Sequence, residues 1–227
     1  MVAAGPRLFY LHGFASGPGS AKGVALARHF ADRGAAVERL DLRVPSMEHL
    51  RASAMIERVR EAIGGPADRA VVFGSSLGGL TAARVASLDA RVFALVLLAP
   101  AFRIAEGWRR RLGPSALEAW ERDGSLEVDD YVTKGKARVD IGFLRDLDRL
   151  DAELGPVPDV RVPTLVVHGV RDDVVPVTVS RELAAGRRHV RLVEVDDGHE
   201  LVASLPRIAA LAEEHLATVL GGGRAAG

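Results

Sequence analysis

The sequence predicts an α/β fold whose centre is a doubly wound, mainly parallel six-stranded sheet. Short β-rich runs alternate with longer helical patterns along most of the 227 residues. The run Val92–Leu98 is continuously apolar, as expected of a parallel strand that is buried on both faces. In such a sheet, functional side chains gather in the loops beyond the carboxyl ends of the strands.

Six segments have the length and apolar character of strands. They are Leu8–Leu11, Val37–Leu42, Ala70–Phe73, Val92–Leu98, Thr164–Val167 and Val190–Val195. Helical patterns follow them at Ala21–Arg33, Met47–Ile63, Leu77–Leu88, Val177–Ala185 and Leu201–Leu220. We expect Ser20 to cap the first helix and the glycine-rich end, 221–227, to fray. Right-handed crossovers would place the helices on both faces of the sheet.

Residues 103–160 break this alternation, because they separate two strands by far more than an ordinary connection. Helical patterns recur there around 104–112, 115–122 and 141–150. We therefore expect residues 1–102 and 161–227 to form the core, and residues 103–160, the insertion, to form a helical cap over the strand ends. The alternative is extra helices that pack at the edge of the sheet.

Composition excludes several kinds of chemistry. The 30 basic residues balance the 30 acidic ones, so we expect neither nucleic acid nor a membrane as a partner. The chain has no cysteine, asparagine or glutamine, which excludes disulfides, thiolate nucleophiles and a Cys-His-Asn site. A His-Glu-x-x-His motif is also missing, and we expect no metal and no cofactor.

The beginning of the chain shows no charged segment followed by an apolar run and a cleavage site. No stretch approaches the roughly 18 apolar residues that are needed to span a bilayer. We therefore expect a cytoplasmic protein. The sequence leaves the oligomeric state open, with a homodimer as one option.

The strongest chemical signal is the pentapeptide Gly74-Ser75-Ser76-Leu77-Gly78, between a predicted strand and a predicted helix. A nucleophile on a sharp strand-to-helix turn needs small residues two positions before and two after it. Gly74 and Gly78 meet that need around Ser76, whereas Ser75 would be flanked by large residues. The alternative is a Gly/Ser turn that has no chemical role.

The loop after the first predicted strand begins with His12-Gly13-Phe14. A backbone N–H in this loop can point towards the same place as the start of the helix after Ser76. We expect the N–H groups of Phe14 and Leu77 to form an oxyanion hole, in which each donor lowers a barrier by roughly 3 kcal/mol. His12 is expected to organise the loop by hydrogen bonding rather than to act as a base.

An acid and a base follow the last two predicted strands. Asp172 and its rival Asp173 lie in the segment 168–176, where a carboxylate can orient an imidazole. His199 follows Asp196-Asp197-Gly198 directly after the final strand. The resulting chain order, Ser76 then Asp172 then His199, is typical of one class of serine hydrolases.

Aromatic residues are candidates for a substrate pocket. Phe14, Phe102, Trp108 and Trp120 can line an acyl pocket or can equally belong to the core. The run Arg109-Arg110-Arg111 can meet an acidic leaving group, although a solvated helix face is the usual role of such a run.

These motifs resemble the α/β-hydrolase superfamily over nearly the whole chain. The stretches that carry the resemblance are LHGF (11–14), GSSLGG (74–79), HGVRDDVVP (168–176) and DDGH (196–199). The opening, YLHGFASGPGSAKG, is similar to small bacterial esterases of the YqiA type. The insertion and the later motifs are similar to relatives of the mammalian mitochondrial acyl-protein thioesterase and acyl-glucuronide esterase. The resemblance implies Ser76 as nucleophile, Asp172 as acid and His199 as base.

The sequence thus predicts a serine hydrolase that cleaves ester or thioester bonds of a small acyl substrate through an acyl-enzyme. Peptidase, acyltransferase and haloperoxidase-like activities can use the same three residues. A binding module that has kept the fold without the chemistry is the alternative from another class.

Overall fold

The computed structural model describes residues 5–221. Its strands are β1 (Arg7–Leu11), β2 (Val37–Leu40), β3 (Ala70–Ser75), β4 (Val92–Leu98), β5 (Ser125–Asp130), β6 (Gly135–Asp140), β7 (Thr164–Gly169) and β8 (Val190–Val195). Its helices are α1 (Ala21–Ala31), α2 (Ala52–Ile63), α3 (Leu77–Leu88), α4 (Ile104–Asp123), α5 (Gly142–Leu154), α6 (Thr178–Ala184) and α7 (Leu205–Gly221). The central sheet has the order β2-β1-β3-β4-β7-β8, and every neighbouring pair is parallel. The predicted fold class is confirmed.

Side-chain alternation along the strands divides the core into two layers. In β1, Phe9 and Leu11 face the layer that contains α2, α3 and α5. Leu8 and Tyr10 face the opposite layer, where α1 and α7 cover the sheet. Because successive side chains of a strand point to opposite faces, both layers are filled from the same strands. The central strands are therefore buried on both sides, which explains their continuous apolar runs.

The insertion contains more than the predicted helices. The two helical patterns at 104–112 and 115–122 form one element, α4, with a kink at Gly113 (φ 71°, ψ 171°) just before Pro114. Strands β5 and β6 then form an antiparallel hairpin that was not predicted, and α5 completes the insertion. The division of the chain into core and cap stays a prediction.

Two helices begin later than their patterns predicted. Helix α2 begins at Ala52 rather than at 47, because the preceding loop has its own hydrogen bonds, from the His49 N–H to Ser46 Oγ and from the Arg51 N–H to the Val44 carbonyl. Helix α7 begins at Leu205 rather than at 201, with a proline in its first turn, where the lost N–H costs nothing. Of the end predicted to fray, 221–227, Gly221 is the last residue of α7, and residues 222–227 lie outside the described residues.

None of the helices in residues 5–221 has the length and apolar character that a membrane crossing requires. The cytoplasmic location stays a prediction.

The buried central strand β4 provides a test of the core. Leu97 is fully buried, so Leu97→Ala should lower the free energy of unfolding by about 2–5 kcal/mol through lost contacts and a residual cavity. Leu88→Ala is the matched control, because Leu88 is 46% exposed and its replacement should cost less than about 1 kcal/mol. Urea denaturation measures both values. Equal losses in the two variants would contradict the assignment of the core.

Candidate active site

Ser76 lies on a sharp turn between the end of β3 and the start of α3. Its backbone has φ 54° and ψ −118°, in the region that non-glycine residues rarely adopt. Such a conformation costs on the order of 1–3 kcal/mol and persists only when the surroundings impose it. Here the Ser76 N–H donates to the Leu98 carbonyl at 2.9 Å, and the Ser76 carbonyl accepts from the Ala101 N–H at 3.0 Å. The turn therefore holds the serine side chain away from the core.

Two glycines make the turn sterically possible. A Cβ atom on Gly74 would overlap the carbonyl group of Gly78, and a Cβ atom on Gly78 would overlap the Leu11 carbonyl at the end of β1. Backbone thus packs directly against backbone on both sides of Ser76. This is the steric reason for small residues two before and two after the serine.

Three predicted residues meet at the carboxyl ends of the strands. His199 Nε2 lies 3.0 Å from Ser76 Oγ, and His199 Nδ1 lies 2.7 Å from Asp172 Oδ2. An ionised carboxylate only accepts hydrogen bonds, so the proton is on Nδ1 and Nε2 is free to accept the serine hydroxyl. The rival Asp173 is exposed and has no part in this contact.

The Asp172 carboxylate is fully buried and hydrogen-bonded on both oxygens. Oδ1 accepts the N–H groups of Val174 (2.9 Å) and Val175 (2.7 Å). Oδ2 contacts His199 and lies 3.1 Å from the Nε2 atom of His168. Burial raises the pKa of Asp172, but the hydrogen bonds from His168, His199 and Val175 outweigh it and hold this pKa well below its usual range. Asp172 is therefore an anion wherever the protein is folded near neutral pH.

The expected oxyanion donors belong to two segments that adjoin Ser76. Leu77 is the first residue of α3, and the N–H groups of a first helical turn have no partner inside the helix. The loop of Phe14 adjoins the serine, because a Cβ atom on Gly13 would be 3.3 Å from Ser76 Cβ. Phe14 itself lines the cavity above Ser76. The role of the two N–H groups as an oxyanion hole stays a prediction.

His12 connects this loop by hydrogen bonds to the segment that follows β2. It is 2% exposed, its Nδ1 lies 2.9 Å from the Gly13 carbonyl, and its Nε2 accepts the Leu42 N–H at 2.9 Å. These partners need a neutral imidazole with its proton on Nδ1. Burial lowers the pKa of His12, and weaker contacts with the Gly13 carbonyl and Asp41 oppose that shift.

A cavity of about 990 Å³ opens above Ser76 and His199. Phe102 and Trp108 line it, as does Phe14, whose ring meets the Trp108 ring edge-on at 5.1 Å between centroids. Among residues 5–221, Trp120, which was also a candidate for the pocket, is not one of those that line the cavity. It is 1% exposed, packs behind Trp108 and donates its indole N–H to the Val139 carbonyl at 3.0 Å, so it belongs to the core.

The three consecutive arginines have different surroundings. Arg109 pairs with Asp148, and it is not one of the residues that line the cavity. Arg110 and Arg111 line the cavity and are exposed, and Arg111 donates to the Val174 carbonyl at 3.2 Å.

Two further residues contact Asp172 or the His199 segment, and the sequence analysis assigned neither of them a role. His168 lies buried beneath Asp172, with Nδ1 2.7 Å from the Ser180 hydroxyl and Nε2 2.9 Å from the Val175 carbonyl. Lys22 is buried beside the His199 segment. His168 stands in the same segment, 168–176, as Asp172, so its proximity along the chain was a usable signal. For Lys22 the sequence contains no comparable signal, because 177 positions separate it from His199.

Across residues 5–221, no three or more His, Cys, Asp or Glu side chains are close enough together to hold a metal ion.

The six parallel strands in this order, with helices on both faces of the sheet, form the α/β-hydrolase fold. A family model described as "Uncharacterised protein family (UPF0227)" matches residues 7–213. The chain belongs to this family. No curated protein matches the sequence.

Solved structures of the same fold are similar over nearly their whole length. Alpha/beta hydrolase domain-containing protein 10 from mouse has a TM-score of 0.76 at 19% identity, covering 96% of this chain and 92% of its own. Est1E from Butyrivibrio proteoclasticus with ferulic acid bound has a TM-score of 0.73 at 21% identity, covering 94% and 90%. Paleococcus ferrophilus monoacylglycerol lipase has a TM-score of 0.72 at 16% identity, covering 93% and 96%. At these identities the similarity shows the fold alone.

The buried His12 makes stability depend on pH. Its pKa is lowered in the folded state, so below about pH 6.5 the unfolded chain binds a proton that the folded protein does not. The stabilising contribution of His12 is therefore complete above that pH and is lost as the pH falls towards the folded-state pKa. The difference in unfolding free energy between wild type and His12→Asn should shrink from pH 8 to pH 5. Urea denaturation at several pH values measures it, and a constant difference would contradict a neutral His12.

Proposed function

We propose that this protein is a serine hydrolase that cleaves a carboxylic ester or thioester bond of a small acyl substrate. The observation that carries the proposal is the continuous contact from Ser76 Oγ through His199 to the buried Asp172 carboxylate, with distances of 3.0 Å and 2.7 Å. A serine hydroxyl is a weak nucleophile unless a base accepts its proton. The arrangement supplies that base and an anion that stabilises its charged form.

The first half of the proposed reaction acylates the enzyme. Ser76 Oγ attacks the carbonyl carbon while His199 Nε2 takes the hydroxyl proton, and the substrate oxygen becomes an anion. The N–H groups of Phe14 and Leu77 stabilise that oxyanion. When the tetrahedral intermediate collapses, His199 gives its proton to the departing alcohol or thiol, and the acyl group stays bonded to Ser76.

The second half regenerates the enzyme. His199 removes a proton from a water molecule, which attacks the acyl carbonyl. Collapse of the second intermediate returns the proton to Ser76 Oγ and releases the carboxylic acid. Asp172 keeps its charge throughout, because its low pKa prevents it from taking the proton.

The cavity suits an acyl group beside Ser76. Phe14, Phe102 and Trp108 form an aromatic part of its wall. Around the opening, four lining residues are large, apolar and exposed: Tyr131, Val132, Val174 and Val202. An apolar substrate would cover this surface. Neither a metal nor a cofactor is part of the proposed reaction.

The names of two structural neighbours agree with ester chemistry. One is a monoacylglycerol lipase, and another was solved with ferulic acid bound. They support the proposal only through the shared fold, and they do not separate an ester from a thioester substrate. Initial rates with p-nitrophenyl esters of graded chain length, beside an acyl thioester, address that choice.

A fluorophosphonate probe tests the nucleophile. Wild type should be labelled at a single serine, and tryptic mapping should find the adduct on Ser76. Ser76→Ala should lose both the labelling and the hydrolysis of p-nitrophenyl esters, whereas Ser75→Ala, its neighbour in the same turn, should keep the labelling. A folded wild-type protein that is neither labelled nor active would instead favour a binding module of the same fold.

The two adjacent aspartates form a matched pair for testing the acid. Asp172→Asn removes the charge that stabilises the imidazolium and should lower kcat on the order of 10⁴-fold. Asp173→Asn, at the exposed neighbour, should change kcat by less than about twofold. Steady-state kinetics on one p-nitrophenyl ester measure both variants. Equal effects of the two substitutions would overturn the assignment of Asp172.

A further inference from the structure

A buried lysine contacts the segment that carries His199. Lys22 lies in the first turn of α1, and its side chain is only 9% exposed. The chain has two other lysines, Lys134 and Lys136, and both are exposed on the β5–β6 hairpin. Burying an ammonium group is costly unless its donors are satisfied. The groups that accept hydrogen bonds from the ammonium group therefore indicate the role of this lysine.

The acceptors of Lys22 come from one short segment. Its Nζ lies 3.1 Å from the Glu200 carbonyl, 3.5 Å from the His199 carbonyl and 3.3 Å from the Glu200 carboxylate. The Glu200 side chain is 78% exposed, so its carboxylate holds the lysine weakly. The other two acceptors are backbone carbonyls, and one of them belongs to His199 itself.

Other contacts also hold the segment between β8 and α7: the Arg171 N–H donates to the Asp197 carbonyl at 3.0 Å, and the Leu201 side chain is fully buried. Asp197 holds its two ends, by accepting the Gly198 N–H at 2.8 Å and the Ser204 N–H at 3.0 Å. Leu201, with φ 53°, closes a turn by donating its N–H to the Gly198 carbonyl at 3.3 Å. Within residues 5–221, Lys22 is the only donor to the carbonyls of His199 and Glu200.

We propose that Lys22 is a positioning residue, whose ammonium group holds the backbone of His199 and Glu200 so that the imidazole stays within hydrogen-bond reach of Ser76. The proposal rests on the function proposed above. It also links two parts of the site, because α1 directly follows the loop that carries Phe14. One side chain thus fixes the base relative to the loop of the expected oxyanion donor.

The charge of Lys22 fits this role. Burial lowers the pKa of its ammonium group, and the carboxylates of Glu200, Asp172 and Asp197 oppose that shift. A charged donor makes stronger hydrogen bonds to carbonyl groups than a neutral one does. A small displacement of a base can cost a large factor in rate, so a strong contact here affects catalysis more than stability.

Lys22→Met tests the proposal, because methionine fills a similar volume without a charge or a donor. We expect a folded protein with a modest loss of Tm, since the Glu200 carboxylate that loses its partner is exposed and the contacts to the two carbonyls are only part-buried, so that water can replace the lysine there. Its kcat should fall on the order of 10- to 100-fold, while KM changes less than about threefold. Lys22→Arg, which retains the charge and the donors, should recover a substantial part of kcat. Lys136→Met, at an exposed lysine, is the matched control and should retain wild-type kcat.

Crystal structures of wild type and Lys22→Met provide a measurement that does not depend on turnover. We expect the distance from His199 Nε2 to Ser76 Oγ to increase from 3.0 Å to beyond about 3.5 Å. If wild type neither hydrolyses esters nor reacts with a fluorophosphonate, the proposed function fails, but this distance still tests the role of Lys22.

Three results would overturn the proposal. The first is a Lys22→Met protein with wild-type kcat and an unchanged imidazole position. The second is a loss of Tm with no loss of kcat, which would give Lys22 a purely structural role. The third is a Lys22→Met protein that does not fold, which would make the lysine part of the core.

Discussion

The turn at Ser76 is the constraint on which the rest of the site depends. A serine at φ 54° is strained, and the strain is held by backbone-to-backbone packing that only Gly74 and Gly78 allow. That packing presses the start of α3 against the end of β1, which brings the His12-Gly13-Phe14 loop beside the serine. The strained turn therefore sets the position of the hydroxyl, of the Leu77 N–H and of the loop that bears Phe14 together.

Around that turn, buried polar groups are arranged in pairs that satisfy one another. The Asp172 carboxylate is fully buried, yet two backbone N–H groups and two imidazoles surround it. His12 is buried as a neutral donor and acceptor, and Lys22 as a donor to backbone carbonyls. An unpaired group at any of these positions would be costly, so each fixes the geometry of its neighbours. The polar atoms of the site therefore have few alternative partners.

Much of this arrangement could be predicted from the sequence, for identifiable reasons. The continuous apolar strands and the glycines around Ser76 are local signals in the sequence. Because the strands are parallel, their carboxyl ends lie at one edge of the sheet, which is where the site was expected. The hairpin was missed because helical periodicity dominates the segments on both sides of it, although Leu126 and Val128 alternate with polar residues as a strand requires. Trp120 could not be assigned, because an aromatic residue in an inserted segment suits a pocket and a core equally. Lys22 depends on a contact between distant segments, which no local pattern encodes.

The central claim is that Ser76 and His199 act as one catalytic unit, and a double-mutant cycle tests it most directly. The kcat values of Ser76→Ala, His199→Ala and the double variant are measured on the same p-nitrophenyl ester, after each protein is shown to be folded. Residues that act as a unit are strongly non-additive, so the double variant should be about as slow as either single variant. If the two losses instead multiply, the hydroxyl and the imidazole act independently, and the proposed catalytic unit does not exist.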